Sequence, residues 1–399
     1  MKKFFCLLTV LGLICALAGC MNTQDPYETT DPTGESGNPS QPTRPDSHEP
    51  AQEPMYAVSV PATSDVTTAK DGTVIFTYTH QSMSLTLPNP DIANKVITNF
   101  RERIDKTRTT ANSLLSSAKD AYTGVGFWNP YLYSVTYSPS RIDQGVLSLS
   151  GSSITFNGFS HPERLCMAAN YDLVTGDYLT LASIMTAQAS RSDFCRLVLE
   201  VLDAVKDEKY LREGYEDTVR QRFEQDETTD ENWYFTQDGL CFFFAPYEIA
   251  PYSSGVITAQ IPYEKLTGIL YDAYFPAERD ASGGTLQAGS MGAVNLTDFN
   301  QIAEALIDPN GEMVFLYAKG LVWDVLIDVG AWDYAENDFV PSYTALASHT
   351  LSPGDAVMIQ TQLTSGDPTL RMTCYNGTQT VIQYLKKDQA TGAVILTDR

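Results

Sequence analysis

The chain has 399 residues, with 26 basic against 49 acidic side chains, a formal net charge of −23 and seven cysteines. Neither that balance nor any Lys/Arg cluster suits neutralisation of a row of phosphates, so nucleic acid is not an expected partner. The acidic surface fits a solvated extracytoplasmic protein and could also steer a basic partner toward it.

The N-terminus sets the expected address. Lys2 and Lys3 precede an apolar run from Phe4 to Ala18, and Leu17-Ala18-Gly19-Cys20 follows. A basic start, a short apolar stretch and small residues before a cysteine read as a lipoprotein signal peptide over residues 1–19. The run falls short of the roughly 20 residues that a permanent membrane-spanning helix needs. Cys20 is the expected lipidation site, and two acyl chains at about 0.8 kcal/mol per buried methylene would hold the protein on the extracytoplasmic face of the cell membrane. Residues 20–55 then combine seven prolines with Ser, Thr, Gly and acids but almost no aliphatic residues. They are expected to form a disordered spacer that lifts the folded part from the membrane.

Folded patterning begins near Tyr56. Thr73–Tyr78 and Met83–Leu87 read as strands, and Asn89-Pro90-Asp91 supplies an N-cap, a proline in the first turn and an acid at the positive end of a helix. The stripe Ile92, Val96, Phe100 and Ile104 predicts that helix. Strands are expected at Tyr131–Tyr137, Gly145–Phe156 and Arg164–Leu173, with a turn at Asp172–Asp177. A second helix is expected from a Ser192 cap through Phe194, Leu197, Val198, Val201, Leu202 and Val205. Trp233–Phe235 and Leu240–Ala245 form a predicted hairpin across Asp238-Gly239, and Gly255–Pro262 adds a strand.

Composition marks 276–289 as a linker. Beyond it, Val294–Leu306 is expected to form a short helix, followed by strands at Met313–Tyr317, Leu321–Val329, Ala356–Leu363, Leu370–Cys374, Thr380–Leu385 and Ala393–Leu396. In Leu321–Val329 the odd positions are apolar and Asp324 and Asp328 share the even face, which predicts a strand with one wet face. The expected fold class is α+β: an N-terminal antiparallel sheet with two main helices over 56–275, then a small all-β sandwich-like domain over 290–399.

The chemistry-bearing residues are sparse. The four histidines, His48, His80, His161 and His349, have no metal-binding spacing, so no metal and no cofactor is expected. No G-x-S-x-G elbow or phosphate loop occurs, and no catalytic residue is assigned. Cys166, Cys195, Cys241 and Cys374 sit in apolar stretches and are expected to be buried free thiols, with a disulfide the alternative in an oxidising compartment. Glu248, between Tyr247 and Tyr252, is the carboxylate to weigh as either a structural acceptor or an acid catalyst.

The segments Asn170–Leu181 (NYDLVTGDYLTL) and Phe242–Gly255 (FFFAPYEIAPYSSG) resemble a pair of envelope domains, domains of unknown function 4163 and 3298. These occur in the lysozyme-sensing anti-sigma factor and beside the catalytic domain of a peptidoglycan deacetylase. The resemblance runs from roughly Tyr56 to Phe275, and the glycine-rich, histidine-containing stretch of that family is replaced by Asn157-Gly158-Phe159-Ser160-His161. It implies an extracytoplasmic recognition module without sigma-binding or deacetylase machinery, with Tyr247, Glu248, Tyr252 and His161 as ligand-binding candidates. The partner it implies is a peptidoglycan fragment or a lysozyme-like cationic protein. A wall-modifying hydrolase using paired carboxylates and a structural or adhesive surface protein are the alternatives.

Overall fold

The computed structural model describes residues 54–159, 161–224, 232–277, 279 and 283–398. The expected signal peptide, Cys20 and nearly all of the spacer lie outside them. In chain order come β1 (Ala57–Ser59), β2 (Ala62–Thr68), β3 (Val74–Gln81), β4 (Ser84–Thr86), α1 (Pro90–Ala121), β5 (Tyr131–Ile142), β6 (Val146–Phe156) and β7 (Glu163–Asp172). The single turn α2 (Leu181–Ile184), then α3 (Arg191–Val205), α4 (Tyr215–Glu224), β8 (Trp233–Phe235), β9 (Gly239–Phe244) and β10 (Ile257–Pro262) follow. The C-terminal strands are β11 (Thr285–Ser290), β12 (Gln301–Leu306), β13 (Glu312–Lys319), β14 (Val322–Asp333), β15 (Asp338–Leu351), β16 (Asp355–Thr361), β17 (Leu370–Tyr375), β18 (Thr380–Lys387) and β19 (Val394–Thr397).

Three cores organise these elements. Helix α1 starts where Asn89 accepts the Asp91 amide at 3.0 Å. It lays Val96, Phe100 and Ile104 on one face of the five-stranded sheet β2-β3-β5-β6-β7. Helices α3 and α4 pack on the three-stranded sheet β10-β9-β8 through Phe194, Leu202, Phe223 and Phe242. The helix α3 opens two residues earlier than the Ser192 cap predicts: the Ser190 amide donates to Asp193 at 2.9 Å, closing a capping box. The third core lies between the four-stranded sheet β11-β13-β16-β12 and the seven-stranded sheet β19-β18-β17-β14-β15-β1-β4.

This overturns the expected fold class. Among the described residues the fold is mostly β, with four sheets and four α-helices, in place of one N-terminal sheet with two helices and a small sandwich. The seven-stranded sheet takes strands from both ends of the chain, since Ala57 pairs with Ser348 and Val58 with Leu85. Pairing across that separation leaves no local pattern, because each partner satisfies its ladder with a strand far away in sequence. The expected helix at Val294–Leu306 is also corrected: Gln301–Leu306 is β12, parallel to β16. Ala, Glu and Leu favour helix only weakly, and burial of Ala303 and Ala305 between sheets outweighs that preference. Residues Thr285–Ser290, linker-like in composition, pair with β13.

The even face of Leu321–Val329 is not wet. Asp328 is buried and paired with Arg371 at 2.8 Å, while Asp324 is paired with Arg279 at 2.9 Å. Two arginines from distant segments cover what the alternation exposes. The four described cysteines are free thiols, three of them buried.

Candidate functional site

The residues singled out by the sequence motif come together at the start of β7. His161 sits in the β6–β7 connection, and Tyr247, Glu248 and Tyr252 lie in the β9–β10 loop. The His161 ring stacks on Tyr252 with centroids 4.7 Å apart, and the Tyr247 hydroxyl is 3.4 Å from His161 Nε2. Tyr252 donates to the Pro162 carbonyl at 3.3 Å. Tyr247 holds φ at +72°, a left-handed conformation unusual for a tyrosine, and is 51% exposed beneath the Arg212 guanidinium, 5.9 Å from its ring.

Glu248 faces the other way. Its carboxylate is ion-paired with Arg222 and accepts the Ala245 amide at 2.8 Å. Arg222 donates in turn to the Phe243 carbonyl at 2.7 Å and lies 4.4 Å from the Phe244 ring centroid. Burial pulls the Arg222 guanidinium below its ordinary value, and the Glu248 charge pushes it back up. These are the contacts of a clamp that closes the β9–β10 loop onto α4.

A cleft that the sequence reading did not identify lies on the five-stranded sheet. In β5 the residues Tyr131, Tyr133, Val135 and Tyr137 face α1, so Thr136 and Ser138 face away, one step of pleat apart. The register sets Thr136 opposite Ser152 and Ser138 opposite Ser150, and Ser152 in turn opposite Cys166. The result is a sheet face floored by hydroxyls. At one end β8 covers it: Ser148 donates to Asn170 at 2.6 Å, Asn170 donates to the Trp233 carbonyl at 2.9 Å, and the Phe235 amide donates to Ser148 at 2.8 Å. Beyond that seal the face opens into a cleft of about 370 Å³. Tyr234, Phe243 and Thr258 of the three-stranded sheet form one wall and Ser342 and Tyr343 of β15 the other.

The cleft is chemically distinctive. The side chains of Thr136, Ser138, Ser150, Ser152, Thr258 and Ser342 make no hydrogen bond to any described residue. Burial pushes the Cys166 thiol up to about 11, so the thiolate needed for nucleophilic chemistry is scarce at neutral pH. Burial likewise raises Tyr234 and Tyr343, which remain neutral phenols. Among the described residues Arg164 is the only charged side chain lining the cleft. No group of three or more His, Cys, Asp or Glu among the described residues could hold a metal ion. The signal for this site was present in the sequence as hydroxyls at every second position of 134–138 and 148–152, opposite an apolar alternation.

Comparison with known proteins bears on one part of this arrangement. Among curated proteins none matches the chain. Solved structures that resemble it include a DUF3298 family protein from Pseudomonas aeruginosa PAO1, with 17% identity over 55% of this chain and 97% of that one and a TM-score of 0.40. Another is a member of the same family from Bacteroides fragilis NCTC 9343, with 15% identity, 55% and 94% coverage and a TM-score of 0.38. The partner domain 4163 expected beside it is not found. Residues 179–264, which supply α2, α3, α4 and the three-stranded sheet, match the model of a family described as protein of unknown function (DUF3298).

Proposed function

We propose that the protein is a cell-envelope lipoprotein whose cleft binds a glycan segment of the wall. The observation that carries this reading is the set of hydroxyls in the cleft without protein partners. A polyhydroxylated ligand needs many small donors and acceptors at close spacing, with aromatic rings beside them for its C–H faces. Ser and Thr hydroxyls each both donate and accept, and Tyr234, Phe243 and Tyr343 supply the rings. The volume lies at the lower end of the roughly 300–1,000 Å³ common for ligand sites, enough for a short saccharide. Acylation of Cys20 would hold this cleft at the outer membrane face, close to the wall.

Titration calorimetry of the full-length chain with chitooligosaccharides and purified muropeptides tests the reading; saturable binding that is lost on filling the cleft is expected. Absence of heat and of competition for every saccharide would overturn it. Radiolabelled palmitate that fails to mark the protein, or a Cys20→Ala variant that matures unchanged, would remove the anchor from the reading.

The net charge of −23 favours a second reading, capture of a lysozyme-like cationic protein. Binding to lysozyme that survives cleft-filling substitutions but weakens steeply with salt would support that reading instead.

A further inference from the structure

We infer that the glycan bound in this cleft is acidic and that its carboxylate docks on Arg164, an inference that rests on the glycan reading above. Arg164 is the one charged residue among those lining the cleft, in a chain where acids outnumber bases 49 to 26. Among the described residues no acidic side chain shares the lining, so the one charge they bring to the cleft is opposite in sign to that of the whole molecule.

Arg164 is exposed, and no hydrogen bond or ion pair joins it to any described residue. Four other arginines are held by carboxylates: Arg141 by Asp143, Arg222 by Glu248, Arg279 by Asp324 and Arg371 by Asp328. The Glu248 carboxylate, whose charge like that of Arg164 reaches Cys166, is held by Arg222.

Position completes the case. Arg164 and Cys166 are two residues apart on β7 and so share the cleft face, with Ile154 and Ser152 as their cross-strand partners. The guanidinium stands at the end of the hydroxyl floor, close enough to draw the Cys166 thiol downward against burial. A planar fork of donors matches a carboxylate with two parallel bonds. A sugar whose ring lies on Thr136, Ser150 and Ser152 would place an acidic substituent there. One guanidinium balances a monoanion, whereas a phosphate dianion would call for a second cation that the lining does not contain.

The test is equilibrium binding of the full-length chain to three probes: the disaccharide of N-acetylglucosamine and N-acetylmuramic acid, its methyl ester, and N,N′-diacetylchitobiose. The free acid is expected to bind roughly 10-fold more tightly than the ester, about 1.4 kcal/mol. Arg164→Gln should bind acid and ester alike, with an unchanged midpoint of urea unfolding as proof of folding. Arg164→Lys should retain part of the preference. Equal binding of acid and ester by the wild type would overturn the inference while leaving glycan binding standing. A preference that persists in Arg164→Gln would overturn the role of Arg164, tighter binding of a phosphorylated sugar than of the carboxylate would overturn the choice of anion, and failure of all three probes to bind would overturn the glycan reading itself.

Discussion

Replacing Arg141 with methionine should cost about 3–5 kcal/mol of folding stability, because it strands a charge in the interior. Arg141 is 1% exposed and donates from Nε to Asp143 at 2.6 Å and from Nη1 to the Tyr263 hydroxyl and to the Tyr274 carbonyl, the latter at 2.7 Å. Its guanidinium lies between the rings of Phe235 and Tyr263, at 5.3 and 5.5 Å from their centroids. Without it Asp143 keeps only the Gly145 and Val146 amides, both at 2.8 Å on one oxygen. A domain of this kind has roughly 5–15 kcal/mol in total, so such a loss is large. The contacts also tie the β5–β6 turn to Tyr263 and Tyr274, which fixes the three-stranded sheet over the hydroxyl face. Saccharide affinity should fall with stability. Urea unfolding followed by tryptophan fluorescence measures the first, and Arg141→Met/Asp143→Asn supplies the decisive comparison. The double variant removes the stranded charge, keeps an acceptor for the two amides, and should cost less than the single one. A single-variant cost below about 1 kcal/mol, or a double variant as unstable as the sum of the two singles, would refute the reasoning.

Further outcomes follow from the same geometry. Glu248→Gln should lower the midpoint of thermal unfolding, costing about 2 kcal/mol once the partial exposure of the pair is allowed for, and should raise protease sensitivity of the β9–β10 loop; unchanged cleavage there would contradict the clamp. Ser150→Val should change stability by less than about 0.5 kcal/mol, since its hydroxyl has no partner, yet weaken saccharide binding severalfold by calorimetry. His349→Phe should be neutral or stabilising: neither ring nitrogen has a hydrogen-bond partner among the described residues, and the 3.8 Å approach to Asp324 is too long for one, so a thermal melt lowered by several degrees would show that a partner exists. From neutral pH, stability should stay flat up to about pH 9 and then fall. Burial raises Tyr263 to about 12 and Cys166 to about 11, so the neutral forms contribute stability that is present below the ordinary values near 10 and 9 and is lost as pH climbs through the raised ones. Unfolding scans between pH 8 and 12 that show no such decline would exclude it.

Much of the local structure was legible because its causes are local. The Asn89-Pro90 start of α1 is set by one cap and one pre-set dihedral, and the β8–β9 hairpin by a two-strand pattern across Asp238-Gly239. The fold class was not, because its decisive pairings join Ala57 to Ser348 and Gln301 to Asp355, where short strands meet partners far away in sequence and their few residues give too little periodicity to identify them. The faces of β14 failed for a related reason. An aspartate on a strand reads as solvent-exposed unless the arginine that neutralises it is known, and Arg371 lies 43 residues away from Asp328. At the site, the motif around Tyr247 and Tyr252 led to the aromatic cluster on His161 but not to the cleft, whose floor is built from serines and threonines that are unremarkable one by one and form a surface only when β5, β6 and β7 are placed in register.

That construction has a consequence for the matched domain. Residues 179–264 provide one wall of the cleft, through Tyr234, Phe243 and Thr258, but none of its floor and not the guanidinium. The floor belongs to the five-stranded sheet and the opposite wall to β15, which itself pairs with β1 from the other end of the described chain. The hydrogen-bonded seal from Ser148 through Asn170 to the Trp233 carbonyl joins floor to wall, and Arg141 fixes the same junction from behind through Tyr263 and Tyr274. A ligand that bridges Thr136 on the sheet and Thr258 on the wall would therefore bind only when the two cores beneath them are docked, and it would stabilise the docked arrangement by an amount that grows with the logarithm of ligand concentration over dissociation constant. On the proposed reading, recognition would be a property of the junction between floor and wall, and the segment that matches the DUF3298 model supplies one side of it.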